Sequence, residues 1–280
     1  MTHAFLFSVI VSLCSLAPML NAVIIETPNL VPLENEIENL DEETLVVFDV
    51  DLTLIVPQDL VLRGRDKFWP LAKQKTSKLQ DGGERCLSLL LLQSKSQLID
   101  PKVLDLIEAL KKKNVPVMAL TAIPSGKFGL IPNVEDWRIQ QLASLGLHFG
   151  STAPYAEEIH FTEFQGKGNP PIFKQGVIAS GRYPKGKVLA SFLRKIDWQP
   201  KRVIFIDDLI NFVKSVETEM DKLGIDHTSY LYTAADELPS EFNEEFAHFR
   251  LDYLIEHDIW LSDEEAQKIL EERCLTSQGT

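Results

Sequence analysis

The chain has 280 residues, 45% of them apolar and 25% charged, with a formal net charge of -13. Such a length and apolar fraction suit one large α/β domain, or a domain carrying an insert, with a sizeable core. The acidic balance and the lack of a dense Lys/Arg stripe exclude a nucleic-acid backbone binder, which needs a basic footprint; a polyanionic ligand would need local positive groups or a metal ion.

Residues 4–20 are an uncharged apolar run ending before Asn21-Ala22, which predicts a secretory signal peptide over residues 1–22. His3 stands where Lys or Arg is usual and Leu20 is large for a cleavage neighbour, so an uncleaved anchor helix stays open, although the run is near the lower limit for crossing a bilayer. No later segment is apolar enough to span. The mature chain is therefore expected to be exported, periplasmic or secreted, with no stable membrane span once the signal is removed. Cys14 follows Ser12-Leu13, a poor context for lipidation, and Cys86 and Cys274 lack metal-ligand spacing. Two unrelated thiols are preferred over a disulfide between them.

Residues 23–43, rich in Pro, Asn and Glu, read as a lead-in, with a domain expected over residues 44–280. Leu45-Val46-Val47-Phe48 is a continuous apolar run bounded by charge, as expected of a parallel strand buried on both faces, and it ends at Asp49. Residues 57–98 mix helical periodicity with Gly82-Gly83 and predict a mostly helical cap inserted before the next α/β unit. Asp100-Pro101 starts a helix through Leu104, Ile107 and Leu110 to Lys113. A second strand covers residues 115–120, and a helical stripe runs from Trp137 to Leu145.

Residues 151–171 are loop-like. Val177-Ile178-Ala179 is a short strand, residues 187–196 a helix, and Arg202-Val203-Ile204-Phe205-Ile206 a third buried strand that ends at Asp207-Asp208. A helix over 212–223, a strand over 227–232 and two amphipathic helices over 241–257 and 262–273 close the domain.

Strands alternating with helices predict a doubly wound parallel sheet, whose active crevice lies at the carboxyl ends of the strands. Asp49, Asp51 and Thr53 follow the first strand, Thr121 ends the second, and Asp207-Asp208 end the third. A single acid after a strand is more often a loop residue or helix cap; it is the joint placement that points to chemistry. In an Asp-x-Asp pair one carboxylate can attack phosphorus while the second protonates the leaving oxygen and later takes a proton from water. So many carboxylates would repel a phosphate without a cation, and Mg²⁺ suits oxygen donors of this kind. The candidate metal ligands are Asp49, the backbone carbonyl of Asp51, Asp208, and Asp207 either through water or as a supporting partner behind the ligands.

In order along the chain, Asp49-Val50-Asp51-Leu52-Thr53, Thr121, a lysine near a helix start and Ile206-Asp207-Asp208 resemble the four motifs of the haloacid dehalogenase-like (HAD) superfamily. The match runs from about residue 44 to residue 220. The resemblance implies a Rossmann-like core and a Mg²⁺-dependent phosphohydrolase acting through an aspartyl-phosphate. In it Asp49 is the nucleophile, Asp51 the acid and base, and Thr121 and Lys185 hold the phosphoryl oxygens; Lys187 is the rival to Lys185. An acid at position 51 favours phosphoester chemistry within that superfamily, and Asn211 could support the acidic strand end by hydrogen bonding. The chain also resembles a branch of often exported bacterial HAD-like proteins, from which little beyond the motif chemistry carries over.

The expected partner is a small phosphorylated substrate, with no nucleic acid; its organic group and the oligomeric state depend on cap and surface shape. Two other readings stand beside this one: an exported HAD-fold binding or effector protein with weak or no turnover, and a phosphotransferase. Arg63, Arg65, Lys67 and Phe68-Trp69 in the cap could grip an organic group, but a helix with a solvated basic face is the preferred reading. The histidines have no zinc spacing, and Gly166-Lys167-Gly168 lacks the strand-to-helix context of a nucleotide loop.

Overall fold

The computed structural model describes residues 23–240 and 242–277, so the expected signal peptide over 1–22 lies outside the described residues. The chain forms β1 (Val23–Thr27), α1 (Val31–Glu36), β2 (Thr44–Phe48) and β3 (Ile55–Pro57), then helices α2 (Leu60–Arg63), α3 (Arg65–Thr76) and α4 (Glu84–Gln93) before β4 (Ser96–Leu98). The α/β succession resumes with α5 (Val103–Lys112), β5 (Val117–Thr121), α6 (Val134–Ser144), β6 (Ile159–His160), β7 (Ile172–Lys174) and β8 (Val177–Ala179). It ends with α7 (Lys185–Lys195), β9 (Arg202–Asp207), α8 (Ile210–Leu223), β10 (Asp226–Tyr232), α9 (Glu244–His257) and α10 (Asp263–Ser277).

The main sheet has eight strands in the order β1-β10-β9-β2-β5-β8-β7-β6. Pairs from β1 through β8 run parallel; β7 and β6 add antiparallel. The fold is thus mixed α/β with a mostly parallel central sheet, as the apolar runs imply. Within those runs a period of two still operates. Val46, Phe48, Val117, Ala119, Ile204 and Ile206 face Leu106 and Leu110 of α5 and Leu142 of α6. Leu45, Val47, Met118, Leu120, Val203 and Phe205 face α7 and α8 through Val188, Phe192, Val213 and Met220. Both faces are covered, so Leu45 to Phe48 of β2 are all apolar and buried.

The sheet begins earlier than the sequence suggests. Val23-Ile24-Ile25, expected in the lead-in, forms an edge strand paired from Val23 with Thr228 to Thr27 with Tyr232; β-branched residues suit the pleat and protect the edge of β10. The segment expected as loop over 151–171 holds the two-residue β6, which pairs with β7 just beyond it.

Antiparallel β3 and β4 bracket α2, α3 and α4. Three short helices cannot bury their own apolar faces. The C-terminal helices, expected to close the sheet domain, pack on them instead: Val61, Phe68, Leu71 and Leu90 share a core with Ala247, Leu251, Leu254 and Trp260. Gly129, at φ +55°, lies where an added Cβ would stand 2.3 Å from the Glu84 carbonyl of α4, and Leu130 N–H donates to Ser88 Oγ at 2.9 Å. The cap is therefore fastened to the core as well. Cys86 is a buried free thiol in this cap core, its pKa pushed up to about 11 by burial. The Cys274 side chain lies outside the described residues.

One cation joins the cap's two sequence-distant parts. Fully buried Arg250 of α9 pairs with Asp59 at 3.1 Å and with Asp263, and stacks at 4.0 Å over Trp260. Trp260 Nε1 donates to Asp59 at 3.0 Å, and Leu60 N–H donates to Asp263 at 3.0 Å. Replacing Arg250 by Met leaves Asp59 and Asp263 without their cation and is expected to cost on the order of 3 kcal/mol. Chemical denaturation measures the loss, and limited proteolysis is expected to cut first between α9 and α10; an unchanged midpoint would refute the clamp.

Candidate active site

β2 lies between β5 and β9, the point where the strand order reverses and where open α/β sheets leave a crevice beyond the carboxyl ends. Asp49 N–H donates to the Ile206 carbonyl at 2.8 Å, which places Asp49 beside Asp207 at that edge. Both carboxyls are buried, and Lys185 reaches them from the first residue of α7. Its fully buried Nζ hydrogen-bonds Asp49 Oδ1 and, at 2.6 Å, Asp207 Oδ2, and lies 4.4 Å from the centre of the Phe212 ring. Leu209 N–H donates to Asp207 Oδ1 at 2.8 Å.

Gly186 permits this approach of α7 to α8. A Cβ there would stand 1.9 Å from the Ser215 carbonyl oxygen, and its N–H donates to Ser215 Oγ at 3.1 Å. Lys187, the rival on sequence, is exposed. Asn211 is exposed too, and a backbone N–H, that of Leu209, holds Asp207.

Asp51 departs from strand geometry. The strand stops at Phe48, and a tight turn follows in which Leu54 and Ile55 N–H both donate to the Val50 carbonyl, at 2.9 and 3.0 Å, with Leu52 at φ +64°. Simple alternation, with residues 49 and 51 facing one way, therefore does not describe the pair: Asp49 is buried, whereas the Asp51 side chain is 51% exposed. Thr53 Oγ1 donates to Asp49 Oδ2 at 3.5 Å, and Thr121 Oγ1 donates to Asp51 Oδ2 at 3.4 Å.

Arg138 of α6 is the residue that sequence reading missed. It is buried, and its Nη2 lies 2.9 Å from Asp51 Oδ1 and 3.0 Å from Oδ2, while Nη1 donates to Gln141 at 2.8 Å. Gln141 donates in turn to Ser96 Oγ of β4 at 3.1 Å. A signal existed: Val134, Arg138 and Leu142 share the four-residue spacing of the helix's buried stripe, and a cation there needs a partner.

Among the described residues, Asp49, Asp207 and Asp208 bring carboxylate oxygens within 4.8 Å of one another. An all-oxygen donor set with one ammonium against three carboxylates fits a hard divalent cation such as Mg²⁺. The Asp51 carboxylate is turned to Arg138 and Thr121, so any share it takes in metal binding falls to its backbone carbonyl. Burial, aided by the charges of Asp207 and Asp51 and opposed by Lys185, pushes the Asp49 pKa up to about 7. Burial, opposed by Lys185, raises that of Asp207. For Lys185 burial favours the neutral amine, but the charges and hydrogen bonds of Asp49 and Asp207 together outweigh it and leave its pKa raised.

Fold and site together define an α/β protein with an acidic cluster able to hold a metal ion at the switch point of its sheet. The chain belongs to the family described as "Protein of unknown function (DUF2608)", which matches residues 26–267. It is 25% identical over 248 residues to "Uncharacterized protein RP296" of Rickettsia prowazekii, covering 86% of this chain and 88% of that one. An uncharacterized protein of Rickettsia bellii is 27% identical over 199 residues, 67% of each chain. Among solved structures, the haloacid dehalogenase-like family hydrolase SP0104 of Streptococcus pneumoniae aligns with 67% of this chain and 94% of its own, at a TM-score of 0.35 and 15% identity.

The raised Asp49 pKa sets a pH dependence. In the unfolded chain an Asp titrates near ~3.9, so the native state binds this proton more tightly, and the stability it confers is lost as pH rises towards about 7. Asp49→Asn cannot ionise. Without added divalent cation its Tm relative to wild type is expected to be higher at pH 8 than at pH 5, and Mg²⁺ is expected to narrow the gap at pH 8 by stabilising wild type. Thermal melts at both pH values, with and without Mg²⁺, measure this; a difference independent of pH would refute the assignment.

Proposed function

We propose that the protein is a Mg²⁺-dependent phosphomonoesterase of HAD-like chemistry, exported from the cytoplasm and acting on a small phosphorylated substrate. The observation that carries this reading is the convergence of Asp49, Lys185 and Asp207 at the switch point with Asp51 beside them, which joins residues 136 and 22 positions apart in sequence. It supports the motif order that resembles the HAD superfamily.

In the first step an Asp49 oxygen attacks phosphorus, the bond from phosphorus to the ester oxygen breaks, and the departing alkoxide takes the proton of Asp51. In the second, water attacks the aspartyl-phosphate, gives its proton to Asp51, and inorganic phosphate leaves with the Asp49 carboxylate restored. Lys185, and Thr121 by its hydroxyl, face the phosphoryl oxygens and offset the charge that develops on them. A cation held by Asp49, Asp207 and Asp208 would screen the carboxylates from the phosphate and polarise its oxygens. Arg138 fixes where Asp51 can deliver and receive its proton.

The direct test is phosphate release from an aryl phosphate by the full chain. Release is expected to require Mg²⁺ and to fall by at least ~10³-fold in Asp49→Asn, the loss of a covalent nucleophile; activity untouched by that substitution would sink the proposal. Arg138→Lys keeps the charge but loses the planar fork. It is expected to lower kcat by about tenfold or more through misplacement of Asp51, with a smaller change in KM. Steady-state kinetics on the same ester measure both, and an unchanged kcat would remove Arg138 from the mechanism.

A further inference from the structure

A cavity of about 320 Å³ opens beside Asp51 between cap and core. Its wall is largely hydrocarbon and indole: Leu62, Trp69 and Leu90 come from the cap, Ile123 and Trp137 from the core. Its charged groups are paired with one another. Arg138 gives Nη2 to Asp51 and Nη1 to Gln141, leaving only its buried Nε without a partner, and Gln141 donates to Ser96, so the one cation of this wall already has its carboxylate.

A second cavity, of about 640 Å³, lies at Leu52 on the other side of the turn and is lined by Arg63, Asp66, Lys67 and Asp236. Arg63 is not available there either, because it donates to the carbonyls of Pro57 and Pro239, each at 2.9 Å. Asp51 lines the first cavity and not the second. In the proposed reaction the ester oxygen receives Asp51's proton, so the organic part of the substrate starts beside Asp51, where the first cavity is the enclosed space that Asp51 lines.

We infer that the cavity between Trp69 and Trp137 receives the leaving group, and that the substrate is a phosphomonoester of an uncharged, apolar or aromatic alcohol, not a sugar phosphate or a bisphosphate. This rests on the phosphohydrolase reading above. A second anionic group in the cavity would be desolvated without a cation to pair with, whereas a flat apolar group gains burial against Leu and Trp surface. The size is at the lower end for ligand pockets and suits a single ring with a short linker.

The test compares 2-phenylethyl phosphate with glycerol 3-phosphate, whose leaving alkoxide is the less basic, so that intrinsic reactivity does not favour the phenylethyl ester. The ratio of kcat/KM is expected to favour the phenylethyl ester by about tenfold or more, as burial of an aromatic group implies. Trp69→Ala is expected to reduce that ratio at least about threefold; Trp69 touches none of the reacting groups, and a ratio is insensitive to the folded fraction.

In parallel, 2-phenylethylphosphonate is titrated against methylphosphonate with the Mg²⁺-loaded protein, and the former is expected to bind about tenfold more tightly. A preference for glycerol 3-phosphate, a ratio that Trp69→Ala leaves unmoved, or equal affinity for the two phosphonates would each overturn the assignment. Absence of Asp49-dependent turnover on every ester would instead overturn the phosphohydrolase reading, while the phosphonate comparison still decides what the cavity accepts.

Discussion

A buried ammonium held between two buried carboxylates organises this molecule. Lys185 has no exposure to solvent, and an isolated charge in that position would cost several kcal/mol of lost hydration. The cost is offset only if Asp49 and Asp207 arrive together, which requires β2 and β9 to be adjacent and parallel, and α7 to begin at the residue that reaches them. Gly186 serves the same end by letting α7 close on the Ser215 backbone. The ammonium does not complete the neutralisation, however. With Asp208 in the cluster the site keeps an excess of negative charge; burial above all, with the charges of Asp207 and Asp51, raises the pKa of Asp49. A divalent cation held by Asp49, Asp207 and Asp208 would offset that excess.

The rest of the fold arranges access to that point. The cap is built from two distant stretches of chain, α2–α4 inside the β3–β4 hairpin and α9–α10 at the other end, with Phe68 and Trp260 meeting edge to face at 5.7 Å. Neither stretch has enough apolar surface to fold over the crevice alone. Arg250 is what makes the pairing specific, because hydrocarbon surfaces could slide past one another, whereas its contacts with Asp59 and Asp263 fix one register.

Legibility in the sequence followed how local the signal was. β2 and β9 could be read because strands covered on both faces become uninterrupted apolar runs, and the acids that end them are the first residues able to be polar. Lys185 and Lys187 could not be separated by spacing, since either can start a helix; the closeness of Gly186 to Ser215, a contact across 29 residues, decides it. β1 was hidden because Val23-Ile24-Ile25 closely follows the apolar run of residues 4–20 in sequence and its partner β10 lies some 200 residues away. The C-terminal helices were recognisable as amphipathic, yet an apolar stripe does not say which surface it will cover. Arg138 was visible only as a charge on a buried stripe, and its meaning depended on where Asp51 would be.

That last dependence joins Asp51 to the cap. From Asp51 a continuous run of hydrogen bonds passes through Arg138 and Gln141 to Ser96, in the strand on which the cap insertion returns to the core. Each link is between 2.8 and 3.1 Å and would be lost by a shift of one ångström or so. A displaced β4 would free Gln141, and Arg138, buried and unable to reach water, would lose one of its two partners. The position of Asp51 is thus set from the cap side as well as from its own turn. A ligand that packs between Trp69 and Trp137 would press on α6, which this chain of bonds ties to β4, and on α3 in the cap insertion that β4 ends. On the proposed reading, leaving-group recognition and proton placement would be a single mechanical arrangement, carried by a helix in which sequence patterning alone shows little more than an amphipathic stripe.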